Sequence, residues 1–172
     1  MTPIRCSVLV ALFVLFALPA TAFADGPELS GTYHYDEARS DSMVDAFEPA
    51  IDEMNRIARG VARRRVRNQP PAPATVRIEQ TASQIVVDFQ GTPAIRAPLD
   101  GSTVDYVNAD GETEKVTARV DGPAILIHRD FDDGEYHTRY FIDSNGRLHI
   151  ASRINMDSLP KVVNYTRIYT SR

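Results

Sequence analysis

The sequence predicts a mainly β protein, a ten-stranded antiparallel meander β-barrel with a helix pair inserted after the first strand. Three observations predict it. Turn dipeptides recur every ten to twelve residues or so, at Gln90-Gly91, Asp100-Gly101, Asp110-Gly111, Asp121-Gly122, Asp133-Gly134 and Asn145-Gly146. The segments between them are β-branched and aromatic, and short strands joined by tight turns make a barrel or sandwich. Ahead of them, residues 40–67 place Met43, Phe47, Ala50, Ile51, Met54, Ile57, Ala58 and Val61 at three- and four-residue steps, which is one apolar helical stripe.

The N-terminus reads as a leader. Arg5 supplies a positive start, residues 8–18 are unbrokenly apolar, and Ala22-Phe23-Ala24 offers a small-x-small cleavage pattern. The apolar run is too short for a membrane-spanning helix. The expectation is a signal peptide over 1–24, cut after Ala24, and a periplasmic or secreted domain over 25–172. Cys6, the single cysteine, precedes the apolar run and leaves with it, so the 148-residue remainder has neither disulfide nor thiolate chemistry. A chain of that length closes one core without staples.

Strands are expected at 29–36, 75–80, 84–90, 93–99, 102–107, 112–120, 124–131, 135–143, 147–156 and 161–170. The helical zone divides at Pro49, which suits a first turn, into helices near 41–47 and 49–66. Ser42 and Asp45 cap the first. The stripe is expected to pack on the sheet, with the helices as a lid at about 40–67. Pro70-Pro71-Ala72-Pro73-Ala74 makes a stiff linker within 69–74.

Hairpin register decides which side chains face inward. Asn145-Gly146 as a two-residue turn sets Arg139 opposite Ser152, Phe141 opposite Ile150 and His137 opposite Ile154. A four-residue loop over 157–160 sets Ile154 opposite Val163, Ser152 opposite Tyr165, Ile150 opposite Arg167 and Leu148 opposite Tyr169. At Asp132-Asp133-Gly134 a three-residue loop, with Gly134 left-handed, is preferred. It sets Ile127 opposite Arg139 and Arg129 opposite His137. A two-residue turn at Asp133-Gly134 would instead turn Leu126 and His128 inward and remove Arg129. The preferred register gives an apolar interior wall carrying Arg129, His137, Arg139, Ser152, Tyr165, Arg167 and Tyr169. Guanidinium groups on such a wall need anions. Either a ligand carboxylate or wall acids such as Glu114, Asp130 and Asp143 would supply them.

With the leader removed, 18 basic residues stand against 23 acidic ones, which argues against bulk nucleic-acid binding. Arg59, Arg63, Arg64, Arg65 and Arg67 are crowded together. They read either as a solvated helix end or as a surface for anionic lipid headgroups.

Gly31-Thr32-Tyr33 in the first strand, the helix pair, Asp121-Gly122-Pro123-Ala124 and the closing Tyr165-Thr166-Arg167-Ile168-Tyr169 resemble the intracellular lipid-binding proteins. These are the fatty acid-binding proteins of the calycin superfamily. The resemblance implies a lipocalin-like barrel in which Arg167 and Tyr169 hold a ligand carboxylate, with a portal beneath the helices. The sequence departs from the family where its second internal arginine falls on Phe141, and in the leader, since that family is cytosolic.

The functional expectation is an exported, monomeric carrier of a small amphipathic anion such as a fatty acid, with no cofactor and possible contact with an anionic membrane. Two alternatives stand beside it: a barrel filled by side chains that serves as an interaction module, and an enzyme using His137 and a nearby carboxylate. His34, His128, His137 and His149 show no close metal-ligand spacing in sequence. No nucleophile sits at an elbow or at triad spacing.

Overall fold

The computed structural model of the protein describes residues 26–171; the expected leader and its cleavage point lie outside them. Ten strands run β1 (Gly31–Tyr35), β2 (Thr75–Gln80), β3 (Gln84–Phe89), β4 (Ile95–Pro98), β5 (Val104–Val107), β6 (Thr113–Asp121), β7 (Ala124–Phe131), β8 (Gly134–Ile142), β9 (Arg147–Met156) and β10 (Val163–Thr170). They form one antiparallel sheet in the order β4-β3-β2-β1-β10-β9-β8-β7-β6-β5. The first strand thus pairs with the last, and the meander curls into a nearly closed barrel. Its seam lies between β4 and β5. Local contacts span it: an Asp100–Arg119 bridge, the Gly101 N–H donating to the Ala118 carbonyl at 3.0 Å, and the Tyr106 hydroxyl donating to the Pro93 carbonyl at 3.0 Å.

Helices α1 (Met43–Asp52) and α2 (Arg56–Arg67) follow β1 after a short 3-10 turn. Ser42 caps α1 by accepting the Asp45 N–H at 3.3 Å. The expected break at Pro49 falls later, because Pro49 is accommodated near the end of α1. The chain turns instead where Asn55 accepts the N–H groups of Ile57 and Ala58, at 3.1 and 3.0 Å, and caps α2. Only the α1 part of the stripe is packed as expected, with Ala50 and Ile51 buried. No residue of α2 is buried, and Ile57 is 84% exposed. No helix among the described residues is long and apolar enough to cross a membrane.

Three hairpins determine what faces inward. The β9–β10 register is the expected one, with Val163, Tyr165, Arg167 and Tyr169 opposite Ile154, Ser152, Ile150 and Leu148. The β8–β9 register is shifted by one residue from expectation: Arg139 pairs with Ala151, Tyr140 with Ile150 and Phe141 with His149. The cause is Asp143. Its Oδ1 accepts the N–H groups of Asn145 and Arg147, at 2.9 and 3.0 Å, and its Oδ2 accepts Arg147 Nε at 2.8 Å. This carboxylate builds a three-residue loop that ends on Gly146 at φ 75°. A two-residue turn would leave those N–H groups without it.

The β7–β8 turn also differs from expectation. Phe131 pairs with Gly134 across a two-residue turn, Asp132-Asp133, so His128 faces His137 and Leu126 faces Arg139. Gly134 is extended rather than left-handed, and its lack of a side chain serves the β9 backbone. A Cβ there would overlap the Asn155 carbonyl oxygen and lie 2.9 Å from Met156 Cα. Gly134→Ala should therefore force β8 and β9 apart and cost about 1–3 kcal/mol, as overpacking does. Urea unfolding at constant m-value is the check.

Because strand side chains alternate, the one-residue shift turns β8 over. Tyr136, Thr138, Tyr140 and Ile142 face inward in place of His137, Arg139 and Phe141. Asp143 itself predicts a pH response. Backbone and side-chain donors hold its carboxyl well below the usual carboxylate range. A group depressed in this way stabilises the fold above its unfolded pKa, and that contribution fades as pH falls through the acid range. Asp143→Asn should lower the melting midpoint at neutral pH and flatten its acid limb, read by thermal unfolding across pH.

Candidate functional site

One part of the barrel interior is packed. Leu29, Tyr33, Val76, Ile78, Ile85, Leu148 and Tyr169 belong to a large buried cluster there. A smaller cluster of Ala50, Ile154 and Val163, with Phe47, Tyr136, Met156 and Leu159 against it, forms where α1 meets the barrel. A cavity of about 610 Å³ lies between the helices and the barrel wall. Its walls are mostly apolar: Phe47, Ile51 and Met54 from the helical side, and Ile95, Ile127 and Ile150 from the sheet. That size and lining suit a small-molecule site. Arg129, Ser152, Tyr165 and Arg167 contribute the polar groups expected from the sequence. Tyr136, Thr138 and Tyr140 add three that the expected register had pointed outward.

The two inward arginines are held differently. Arg129 is committed to the protein. Its Nε donates to Glu114 Oε2 at 2.7 Å and its Nη2 to Oε1 at 2.8 Å, a bidentate pair. Glu114 is 4% exposed and also accepts from Asn108 Nδ2 at 2.9 Å. The guanidinium lies 5.4 Å from the ring centres of both Tyr106 and Tyr136. Glu114 raises the Arg129 pKa although burial opposes it. Internal pairing, one of the two expected ways to satisfy these arginines, therefore holds for Arg129.

Arg167 has no acidic partner among the described residues. Its guanidinium lies 5.2 Å from the Tyr165 ring centre on the same strand. Alternation along β10 sets Tyr165, Arg167 and Tyr169 on one face at successive steps from the helices toward the packed interior. Arg167 faces the cavity, while Tyr169 lies past it, fully buried, with its ring 5.4 Å from Tyr35. The Tyr169 hydroxyl has no hydrogen-bond partner within standard geometry among the described residues. Burial pushes its pKa up to about 12, with Arg167 pulling the other way. Arg167 is thus a cavity-facing cation with no acidic partner among the described residues, and the Tyr169 hydroxyl lies behind it in the packed interior.

His137 and Arg139 are the residues the structure moves. Both lie on the outer wall, flanking a groove of about 430 Å³ with Arg119, His128 and Arg153. The lid arginines also separate. Arg63 bridges the helices, reaching Glu48 at 2.5 Å and Asp52 at 2.7 Å. Arg59 donates through Nη2 to the Asp52 and Met54 carbonyls. Arg64, Arg65 and Arg67 are exposed at the end of α2, and Arg65 borders the cavity.

No protein-family model matches the chain, and no curated protein matches it by sequence. Solved structures do match. The REP1-NXSQ fatty acid transporter aligns at TM-score 0.54 and 19% identity, over 84% of this chain and 96% of the other. Lipid binding protein 8 of Caenorhabditis elegans aligns at 0.54 and 10% identity, over 83% and 94%. Fatty-acid-binding protein 1 of Echinococcus granulosus aligns at 0.52 and 12% identity, over 83% and 96%. At such identities the likeness is one of fold alone: an antiparallel β-barrel with a helix pair after its first strand, as the turn spacing and the helical stripe led us to expect.

Proposed function

We propose that the protein is a carrier that binds an amphipathic anion, of the fatty acid class, in the cavity beneath its helix pair. The observation that carries this reading is Arg167, a cation on an otherwise mostly apolar wall with no acidic partner among the described residues. A half-buried cation on an apolar wall without an acidic partner is costly, and a ligand carboxylate would offset that cost while accepting from the Tyr165 hydroxyl. Apolar walls would hold the tail. Burying ten or more methylene groups at about 0.8 kcal/mol each leaves several kcal/mol after ordering costs. The solved structures of similar fold, whose names describe fatty acid and lipid binding, support the same ligand class.

We read the chain as a carrier rather than an enzyme because the residue best suited to acid–base work, His137, is on the outer wall, away from the cavity. The leader-like N-terminus supports action outside the cytoplasm. The exposed Arg64, Arg65 and Arg67, beside the exposed Ile57 and Val61 of α2, suit contact with an anionic bilayer during ligand exchange. Native mass spectrometry of detergent-free protein tests the ligand: bound fatty acid, or a melting midpoint raised by added fatty acid, is expected. Lipid-free protein whose melting is unmoved by fatty acids would reject the reading. N-terminal sequencing of the protein from the exported fraction tests the leader, with residue 25 expected first.

A further inference from the structure

We infer that His128, Glu135 and His137 form a binding site for a first-row divalent transition-metal ion on the outer wall of the barrel. The site is separate from the cavity and does not depend on what the cavity binds. Its geometry comes from the β7–β8 register. Glu135 and His137 are two residues apart on β8 and so share a face. The two-residue turn at Asp132-Asp133 then sets His128 of β7 directly opposite His137.

The donor atoms converge. His128 Nε2 lies 3.2 Å from Glu135 Oε2, and His137 Nε2 lies 3.1 Å from that same oxygen. All three donor atoms lie within 4.8 Å of one another. A tetrahedral zinc ion with bonds of about 2.0–2.1 Å holds its ligands roughly 3.3 Å apart, so the two measured edges match that spacing. The imidazole rings are stacked, parallel within 5° with centres 4.3 Å apart, so the rings must tilt toward each other for both in-plane nitrogen lone pairs to meet one ion. The other Glu135 oxygen, Oε1, accepts Asn155 Nδ2 at 3.2 Å from β9. That contact orients the carboxylate and leaves Oε2 toward the histidines, the kind of outer-shell support metal ligands use.

No lysine or arginine pairs with Glu135 among the described residues. Asp130, its cross-strand neighbour, adds negative charge, while Arg153, opposite His137, opposes a cation. Two imidazoles and one carboxylate are a donor set for zinc or its first-row neighbours, and three protein ligands leave a position open to water or an anion. Side-chain exposures of 35% for His128, 36% for Glu135 and 44% for His137 give an ion direct access from solvent.

Isothermal titration of the purified protein with zinc chloride is the test, with cobalt(II) as a spectroscopic probe. One zinc per chain is expected, with tetrahedral cobalt absorption bands. His128→Ala and His137→Ala should each weaken zinc binding at least tenfold, and Glu135→Gln by a similar factor, with circular dichroism unchanged. His149→Ala, which removes the histidine beside Asp143, should leave binding intact and so serves as the control for adventitious histidine sites. Equal zinc affinity in wild type and the His128→Ala/His137→Ala double variant would overturn the proposal, as would loss of binding in His149→Ala alone.

Discussion

Replacing Arg167 with methionine should weaken fatty acid binding roughly ten- to hundredfold. A hydrogen bond to a charged group contributes about 1.5–3 kcal/mol, and each 1.4 kcal/mol is a factor of ten in affinity. Methionine keeps an apolar stem of similar reach on the cavity wall, so the change isolates the charge. The corresponding fatty alcohol should bind wild type and variant almost equally, because it offers no carboxylate for the guanidinium to recognise. Fold stability should hold or rise, since the substitution removes a cation with no acidic partner among the described residues. Displacement of a fluorescent fatty acid, run in parallel with the alcohol, is the measurement. An equal loss for both ligands would mean that Arg167 shapes the wall instead of reading the headgroup.

Glu114→Gln should be the most destabilising single substitution in the barrel wall that leaves side-chain volume unchanged. It strips the bidentate partner from Arg129, whose side chain is 26% exposed. Breaking a fully buried ion pair costs about 3–5 kcal/mol; the partial exposure of Arg129 brings the expected loss to about 2–4 kcal/mol. Urea unfolding measures it. The double variant Glu114→Gln/Arg129→Met should recover most of the loss, because it removes the orphaned charge. The single variant also carries a ligand consequence: Arg129 borders the cavity, so a bound carboxylate could take the place of Glu114. Added fatty acid should therefore raise the melting midpoint of Glu114→Gln more than that of wild type. Equal shifts would place the ligand headgroup beyond the reach of Arg129.

Local sequence determined the strands, because their signals are local. Alternating apolar residues and recurring turn dipeptides marked β2, β7 and β9 at their observed bounds, and the other strands to within two residues or so at each end. The Arg167-x-Tyr169 face was legible for the same reason, since the 157–160 loop permits one register that keeps Val163 and Ile154 inside. The inward face of β8 was not legible. An Asx-Gly pair stands at both of its ends, and the choice between a two- and a three-residue loop rested on contacts outside the pair. At one end the Asp143 carboxylate collects the Asn145 and Arg147 N–H groups; at the other the β9 backbone crosses too near Gly134 to admit a Cβ.

The sequence by itself settled a mainly β chain with a lid-like helix pair and an arginine on the inner face of its last strand. Tertiary structure decided which inward arginine lacks an acidic partner among the described residues. The pairing of Arg129 with Glu114 joins residues 15 apart on adjacent strands, and it depends on both facing the same side of a curved sheet. Tertiary structure also took His137 out of the cavity and set it beside His128. The physical reason is the two-residue period of a strand. A shift of one residue leaves the composition and hydropathy of β8 untouched, yet exchanges every side chain that meets the cavity for one that meets solvent.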